Sequence, residues 1–195
     1  MSNSEAKKLD FDNPSNWFKL ENKLMWFIGG PLLYDRFIRT FELDGTENVL
    51  DFGCGGGVGS KAVLKYLNRD GHLTCLDTSK YWINVIRKRL QKHKNVSIML
   101  GDIRELEIPR STFDLAFMVY VLHDIDQKIR QDTTIALGQK LKQNGRLFIA
   151  EPTESRHGIP IKEIQTLFEK AGFIEKNQRL NGTRYIGEFK KIMKK

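Results

Sequence analysis

Three carboxylates and a run of glycines are the residues of this chain whose placement could do chemistry. Asp51 stands in the apolar run Val49-Leu50-Asp51-Phe52, which passes directly into Gly53-Cys54-Gly55-Gly56-Gly57-Val58-Gly59. A main chain almost bare of side chains can approach a ligand closely and turn where other residues clash. The carboxyl end of a strand is also where open α/β sheets bind ligands. Asp77 closes the next apolar run, Leu73-Thr74-Cys75-Leu76, and Asp102 follows Val96-Ser97-Ile98-Met99-Leu100. A carboxylate accepts two hydroxyl hydrogen bonds at once, and an exocyclic amine needs an acceptor, so the three acids outline one nucleoside-like ligand. A second constellation pairs His123, in Val121-Leu122-His123-Asp124-Ile125, with Glu151, in Phe148-Ile149-Ala150-Glu151-Pro152. An imidazole suits proton removal near neutral pH, and Glu151 would orient it through a hydrogen bond.

The elements that must position these groups follow from periodicity. Beyond about residue 45 strand-like and helix-like patterns alternate, as in crossover units of a mainly parallel sheet. Val63, Leu64 and Leu67 mark a helix after the glycines. Trp82, Ile83, Ile86 and Leu90 form the stripe of a helix starting near Lys80 and capped by Ser79. Asp114 to Leu122 is a nearly unbroken apolar run, the pattern of a central strand covered on both faces. A helix through Ile129, Thr133, Leu137 and Leu141 is expected to stop at Asn144-Gly145, before a strand from Leu147 to Ala150. Ile161, Ile164, Leu167, Phe168 and Ala171 mark the last helix, and Asn181-Gly182 between two strand-like runs signals a hairpin. The first 45 residues scatter Trp17, Phe18, Trp26, Phe27, Tyr34 and Phe37 among charges in a helical pattern. They read either as a helical lid or as a helix completing the core.

Length favours one domain with a single core, 1–195. Cys54 and Cys75 have no metal-ligand spacing and read as reduced thiols of a cytoplasmic protein, with no metal expected. No signal peptide is visible in the first twenty residues, and the window Leu24 to Tyr34 is too short to span a bilayer. The net charge is +8, with the excess on Lys190, Lys191, Lys194, Lys195 and around Arg87 to Lys94. Without an RNA-binding signature this reads as a solvated face and a charged end, leaving contact with a membrane or anionic lipid open.

The glycine loop admits three readings. A P-loop requires Gly-Lys-Ser or Gly-Lys-Thr, but Gly59 precedes Ser60-Lys61 in reversed order. The dinucleotide fingerprint is met by Gly57-Val58-Gly59-Ser60-Lys61-Ala62 with Asp77 beyond it. That register starts past the strand end and leaves Asp51 and Asp102 without a role. Asp51-Phe52-Gly53-Cys54-Gly55-Gly56-Gly57 resembles the acid-x-Gly-x-Gly-x-Gly signature of class I S-adenosylmethionine-dependent methyltransferases, and the resemblance extends over about residues 46 to 173.

That resemblance implies a Rossmann-like, doubly wound, mainly parallel seven-stranded sheet with an antiparallel C-terminal hairpin. Residues 1–45 would form a helical N-terminal lid and 46–195 the cofactor-binding core. It implies S-adenosylmethionine as cofactor, with the methionine moiety on the glycine loop, the ribose hydroxyls on Asp77 and the adenine amine on Asp102. Contacts would come from Asp51, Gly53, Gly55, Gly57, Asp77, Thr78, Asp102, Ile103 and Val119. His123 and Glu151 resemble the base and supporting acid of plant small-molecule O-methyltransferases. Those enzymes carry a large N-terminal dimerisation domain absent here, and their second supporting acid falls near Gly158. The Asn or Asp followed by Pro-Pro-aromatic of enzymes that methylate base amino groups is replaced by Val119-Tyr120-Val121-Leu122, so DNA is not the expected acceptor. The function expected is methyl transfer to a small molecule at oxygen, nitrogen or carbon. The alternatives are an NAD-type dinucleotide-binding protein and a non-catalytic S-adenosylmethionine-binding partner subunit.

Overall fold

Side chains alternate across a strand, and in β1 (Asn48–Phe52) that alternation sorts the whole molecule. Val49 points into a core shared with Phe37, Ile38, Phe41, Ala62, Val63, Ile83 and Ile86, whereas Leu50 and Phe52 point into a second core with Leu137, Ile164, Leu167 and Phe168. The structure, a computed structural model, describes residues 10–153 and 158–192. The other strands are β2 (His72–Asp77), β3 (Val96–Leu100), β4 (Phe113–Val119), β5 (Leu141–Pro152), β6 (Phe173–Asn181) and β7 (Arg184–Lys191), in the sheet order β3-β2-β1-β4-β5-β7-β6. The first five run parallel and β7 runs antiparallel to both β5 and β6. The strand order reverses at β1 and β4, which places a crevice at their carboxyl ends.

Helices α1 (Asn16–Leu24) and α2 (Asp35–Arg39) flank a π-helical segment, Met25–Tyr34; α3 (Val58–Val63) and α4 (Lys80–Leu90) follow β1 and β2. The opposite face carries α5 (Gln127–Lys140) and α6 (Ile161–Lys170). Ser79 caps α4 by accepting from the Trp82 N–H at 3.2 Å, and Trp82, Ile83, Ile86 and Leu90 are all buried. Within the π-helical segment, a Cβ on Gly30 would stand 3.0 Å from Val58 Cγ1. The missing side chain lets this segment cross the start of α3.

Several elements differ from their sequence pattern. α3 stops at Val63; Leu64 lies in the turn beyond it and Leu67 in the loop that follows. α5 ends at Lys140, because Leu141 turns to extended backbone (ψ 143°) and pairs with Phe113 as the first residue of β5. Asn144, at φ 63°, therefore sits in an irregularity of β5 rather than at a helix end. β4 ends at Val119, since Tyr120 takes φ 59° and breaks the ladder. The N-terminal segment divides in two: Phe37, Ile38 and Phe41 belong to the core, while α1 has no buried residue. Residues 1–9 of the expected lid lie outside the described residues.

Candidate functional site

The glycine loop is held in place by the strand beside it. The N–H groups of Gly53 and Cys54 both donate to the Leu76 carbonyl, at 2.8 and 3.0 Å, and the Gly55 N–H donates to Asp77 Oδ2 at 2.8 Å. Asp77 Oδ1 accepts from the Ser79 N–H at 2.8 Å, so one carboxylate at the end of β2 ties the loop to the start of α4. Burial raises the Asp77 pKa, opposed by the N–H groups of Ser79, Gly55 and Thr78. Gly53, Gly55 and Gly57 have φ of 72°, 48° and 82°, a region that L side chains rarely enter. Around Gly55 no atom lies within 4 Å of an added Cβ, whereas at Gly53 a Cβ would fall 2.5 Å from Val121 and at Gly57 2.7 Å from Ile86. The loop is thus packed at Gly53 and Gly57, and at Gly56 against Asn22 and Arg89, and open at Gly55, beside Asp77. The open backbone at Gly55 with the Asp77 acceptor on its rim leaves room for the methionine and ribose parts expected there from the sequence.

The other two acids are placed differently from each other. Asp51 shares the face of Val49, beneath α3, where it is buried and accepts from Ser60 Oγ at 2.5 Å. Burial pushes its pKa up to about 7, against the hydrogen bond from Ser60 and with the charge of Asp77 adding to the rise. Its contact in the structure is with the helix that carries the loop. Asp102, one residue past the turn at Gly101, is clamped by Arg104: Nε reaches both oxygens at 3.0 and 3.1 Å, and Nη2 reaches Oδ2 at 2.6 Å. The Arg104 guanidinium holds this carboxyl below its ordinary range despite partial burial. An adenine amine would have to share Asp102 with Arg104. Ile103 is buried, Thr78 is exposed, and Val119 is half-buried at the end of β4.

The dinucleotide register loses its basis here. Its second glycine, Gly59, lies inside α3 with a would-be Cβ 2.9 Å from the Phe117 ring. It serves packing and cannot approach a pyrophosphate.

At the adjoining strand ends the structure brings His123 and Glu151 together. The left-handed Tyr120 turns the chain across the end of β5, so that Val121, Leu122 and His123 present consecutive N–H groups to the fully buried Glu151 at 2.8, 2.9 and 3.4 Å. His123 Nδ1 lies 2.7 Å from Glu151 Oε2, and Nε2 lies 3.5 Å from Asp124 Oδ2. A buried carboxylate is tolerated only when it is so satisfied. With Glu151 ionised, Nδ1 carries the hydrogen and Nε2 is left with its lone pair. Burial works against the imidazolium, but the hydrogen bond and charge of Glu151, together with Asp124, outweigh it and raise the His123 pKa above its ordinary value. Val121, which packs on Gly53, joins this pair to the glycine loop.

Sequence reasoning missed Arg184, which meets the turn residue Tyr120 from a distant part of the chain. Arg184, first residue of β7, stacks over the rings of Tyr120 (5.3 Å) and Phe37 (5.8 Å), and its buried Nε has no hydrogen-bond partner among the described residues. Tyr34 has its pKa pushed up to about 12 by burial and by the charge of Asp51, with Arg184 opposing. Nothing in the local pattern of a hairpin residue announces the position of Arg184. The Cys54 thiol is held well above its ordinary pKa by a hydrogen bond with Cys75 and by burial, so it is no nucleophile at neutral pH.

Comparison with known proteins agrees with this geometry. Residues 49–145 match a family described as "Methyltransferase domain". The mitochondrial ubiquinone biosynthesis O-methyltransferase of Schizosaccharomyces pombe is 28% identical over 108 residues, which are 53% of this chain and 37% of that protein. A ubiquinone/menaquinone biosynthesis C-methyltransferase of Wigglesworthia glossinidia brevipalpis is 22% identical over 144 residues, 72% of this chain and 57% of that protein. The chain therefore spans between about a third and somewhat over half the length of these curated relatives. Among solved structures, a SAM-dependent methyltransferase from Aquifex aeolicus superposes with a TM-score of 0.74 at 22% identity, covering 95% of this chain and 100% of that one. This likeness shows the fold.

Proposed function

We propose that this chain, which belongs to the class I S-adenosylmethionine-dependent methyltransferases, transfers a methyl group to the hydroxyl of a small molecule. The observation that carries this reading is the His123 to Glu151 pair, 2.7 Å apart beside the glycine loop. S-adenosylmethionine, when bound, supplies the electrophilic methyl group. The chain's task is to hold the reactants in line and exclude water. Asp77 suits the ribose hydroxyls, the open backbone at Gly55 suits the methionine moiety, and Asp102 with the Ile103 N–H suits the adenine. Asp51 supports the loop through Ser60. A hydroxyl is a weak nucleophile until its proton leaves, and His123 takes that proton at Nε2 while Glu151 and Asp124 stabilise the resulting imidazolium. Of the two curated relatives, the one named as an O-methyltransferase of ubiquinone biosynthesis favours a hydroxyl acceptor of phenol or quinol type, whereas the one named as a C-methyltransferase favours methylation at carbon. The free thiols of Cys54 and Cys75 favour a cytoplasmic location.

The test is transfer of labelled methyl from S-adenosylmethionine to panels of phenols, quinols, amines and lipids. His123→Ala should slow transfer to a hydroxyl by roughly a hundredfold to ten-thousandfold and leave calorimetric binding of S-adenosylhomocysteine unchanged. The neutral imidazole is the active form, so the wild-type rate should climb with pH through a pKa above the ordinary histidine value of 6.5. A variant that keeps the wild-type rate across neutral pH would remove the hydroxyl assignment. Cofactor binding without transfer to any acceptor would favour a partner subunit.

A further inference from the structure

The N-terminal helix turns its apolar side outward. Trp17, Leu20, Leu24, Phe27 and Ile28 are 74%, 57%, 58%, 64% and 59% exposed, half of the large hydrophobic residues exposed among the described residues and all within one stretch of chain. Their spacing puts them along one side of α1 and its π-helical continuation. The inward side is occupied by Phe18, whose ring meets Trp82 edge-on at 5.6 Å, and by Asn22, which accepts from Arg89 at 2.8 Å. The orientation of the helix is therefore fixed, and among the described residues no element covers the stripe. A contiguous apolar surface of this kind marks an interaction site.

The charges beside the stripe identify what covers it. Lys19 and Lys23 line one flank, and with Arg89 they surround a cleft of about 400 Å³ floored by Trp26, Tyr81 and Trp82 and bordered by Phe27 of the stripe. None of these three cations is paired with a carboxylate among the described residues; Lys19 instead lies 5.2 Å from the Tyr81 ring centre and Arg89 4.7 Å from that of Trp26. Glu21, exposed, stands at the other edge. An amphipathic helix with an outward apolar stripe, an interfacial tryptophan and lysines along one flank has the composition of a helix that lies in the plane of a membrane surface. Lysine stems extend along apolar material while their ammonium groups stay at headgroup level.

We propose that α1 docks this protein on an anionic phospholipid bilayer, with the stripe at the acyl boundary and the Lys19, Lys23 and Arg89 cleft receiving a phosphate headgroup. Arg89 of α4 ties α1 to the glycine loop, donating both to Asn22 Oδ1 at 2.8 Å and to the Gly56 carbonyl at 2.5 Å, and Lys61 Nζ of α3 donates to the Trp26 carbonyl of the π-helical segment at 3.0 Å. Docking brings the cofactor loop to the membrane surface. The inference concerns a surface outside the methyl-transfer chemistry, so it stands or falls by binding alone.

The test is co-sedimentation of the full chain with vesicles of phosphatidylcholine, alone or mixed with phosphatidylglycerol, read with tryptophan fluorescence and quenching by brominated lipid. Binding should require phosphatidylglycerol, blue-shift the emission and weaken with salt. Lys19→Gln with Lys23→Gln should reduce partitioning by roughly thirtyfold, at about a kcal/mol for each basic residue near the surface. Trp17→Ser with Leu24→Ser should reduce it by tenfold or more and remove the blue shift, with an unchanged circular dichroism spectrum, since both positions are exposed. Absence of vesicle binding, equal binding to neutral vesicles, or variants that bind like wild type would overturn the proposal. So would a dimer in sedimentation equilibrium that Trp17→Ser with Leu24→Ser dissolves while vesicle binding is absent.

Discussion

Replacing Glu151 with Gln changes one buried atom, and the consequences can be worked through the contacts. In the wild type Oε1 accepts from the Val121 and Leu122 N–H groups at 2.8 and 2.9 Å, while Oε2 accepts from His123 Nδ1 at 2.7 Å and from its N–H at 3.4 Å. A glutamine keeps its oxygen on the two shorter backbone bonds and presents its NH₂ to the imidazole. Two donors cannot face each other, so Nδ1 must give up its hydrogen and Nε2 must take it. The nitrogen that would accept a substrate proton thereby becomes a donor. The carboxylate's bonds become neutral and the longest one is lost. With hydrogen bonds to charged groups worth about 1.5–3 kcal/mol and neutral ones about 1, the variant should lose roughly 1–3 kcal/mol of stability. The His123 pKa should also fall. Burial, its largest influence, already lowers it, and the main opposing contributions come from Glu151. Long-range ¹⁵N–¹H correlation spectra of the four histidines, recorded through a pH titration, report tautomer and pKa without any acceptor, and urea denaturation reports the stability. Once an acceptor is in hand the rate should drop by roughly 10²–10⁴. If the His123 ring keeps its hydrogen on Nδ1 and its pKa stays where it was, Glu151 does not control the imidazole.

Three further outcomes follow from the loop and its supports. Asp51 has its pKa raised from 3.8 to about 7 on folding, so the folded state favours the protonated form. The stability this group allows is full below pH 4 and is lost as pH rises toward 7, amounting to roughly 4 kcal/mol at about 1.4 per pKa unit. Asp51→Asn should therefore match wild type near pH 4 and exceed it in urea denaturation at pH 8; a less stable variant at pH 8 would contradict the argument. Asp77→Ala should weaken calorimetric binding of S-adenosylhomocysteine by about 1.5–3 kcal/mol, and unchanged affinity would mean the ribose is held elsewhere. Gly53→Ala forces a Cβ to 2.5 Å from Val121 at φ 72°, whereas Gly182→Ala at φ 60° meets nothing within 4 Å. The first should cost roughly 2–4 kcal/mol and the second about 1–2; equal costs would show that the Val121 contact relaxes freely.

The sequence by itself determined what depends on periodicity and local chemistry. The apolar runs before Gly53, Asp77 and Asp102, the Ser79 cap and the Asn181-Gly182 turn report short-range preferences, so alternating strands and helices and the final hairpin were legible from them. The pairing of His123 with Glu151 could be expected because both follow apolar runs that become neighbouring parallel strands. Tertiary structure alone decided matters set by competition between distant groups. Leu141 leaves the helix because pairing with Phe113 outweighs its helical preference, and Asp51 faces α3 because alternation along β1 puts it beside Val49. Arg104 claims Asp102, and Arg184 reaches Tyr120 across more than sixty residues of chain. Likewise, the aromatics of the first 45 residues look alike as a pattern. Only packing separated Phe37 and Phe41, which fill the core, from Trp17 and Phe27, which the inward anchors Phe18 and Asn22 leave facing solvent.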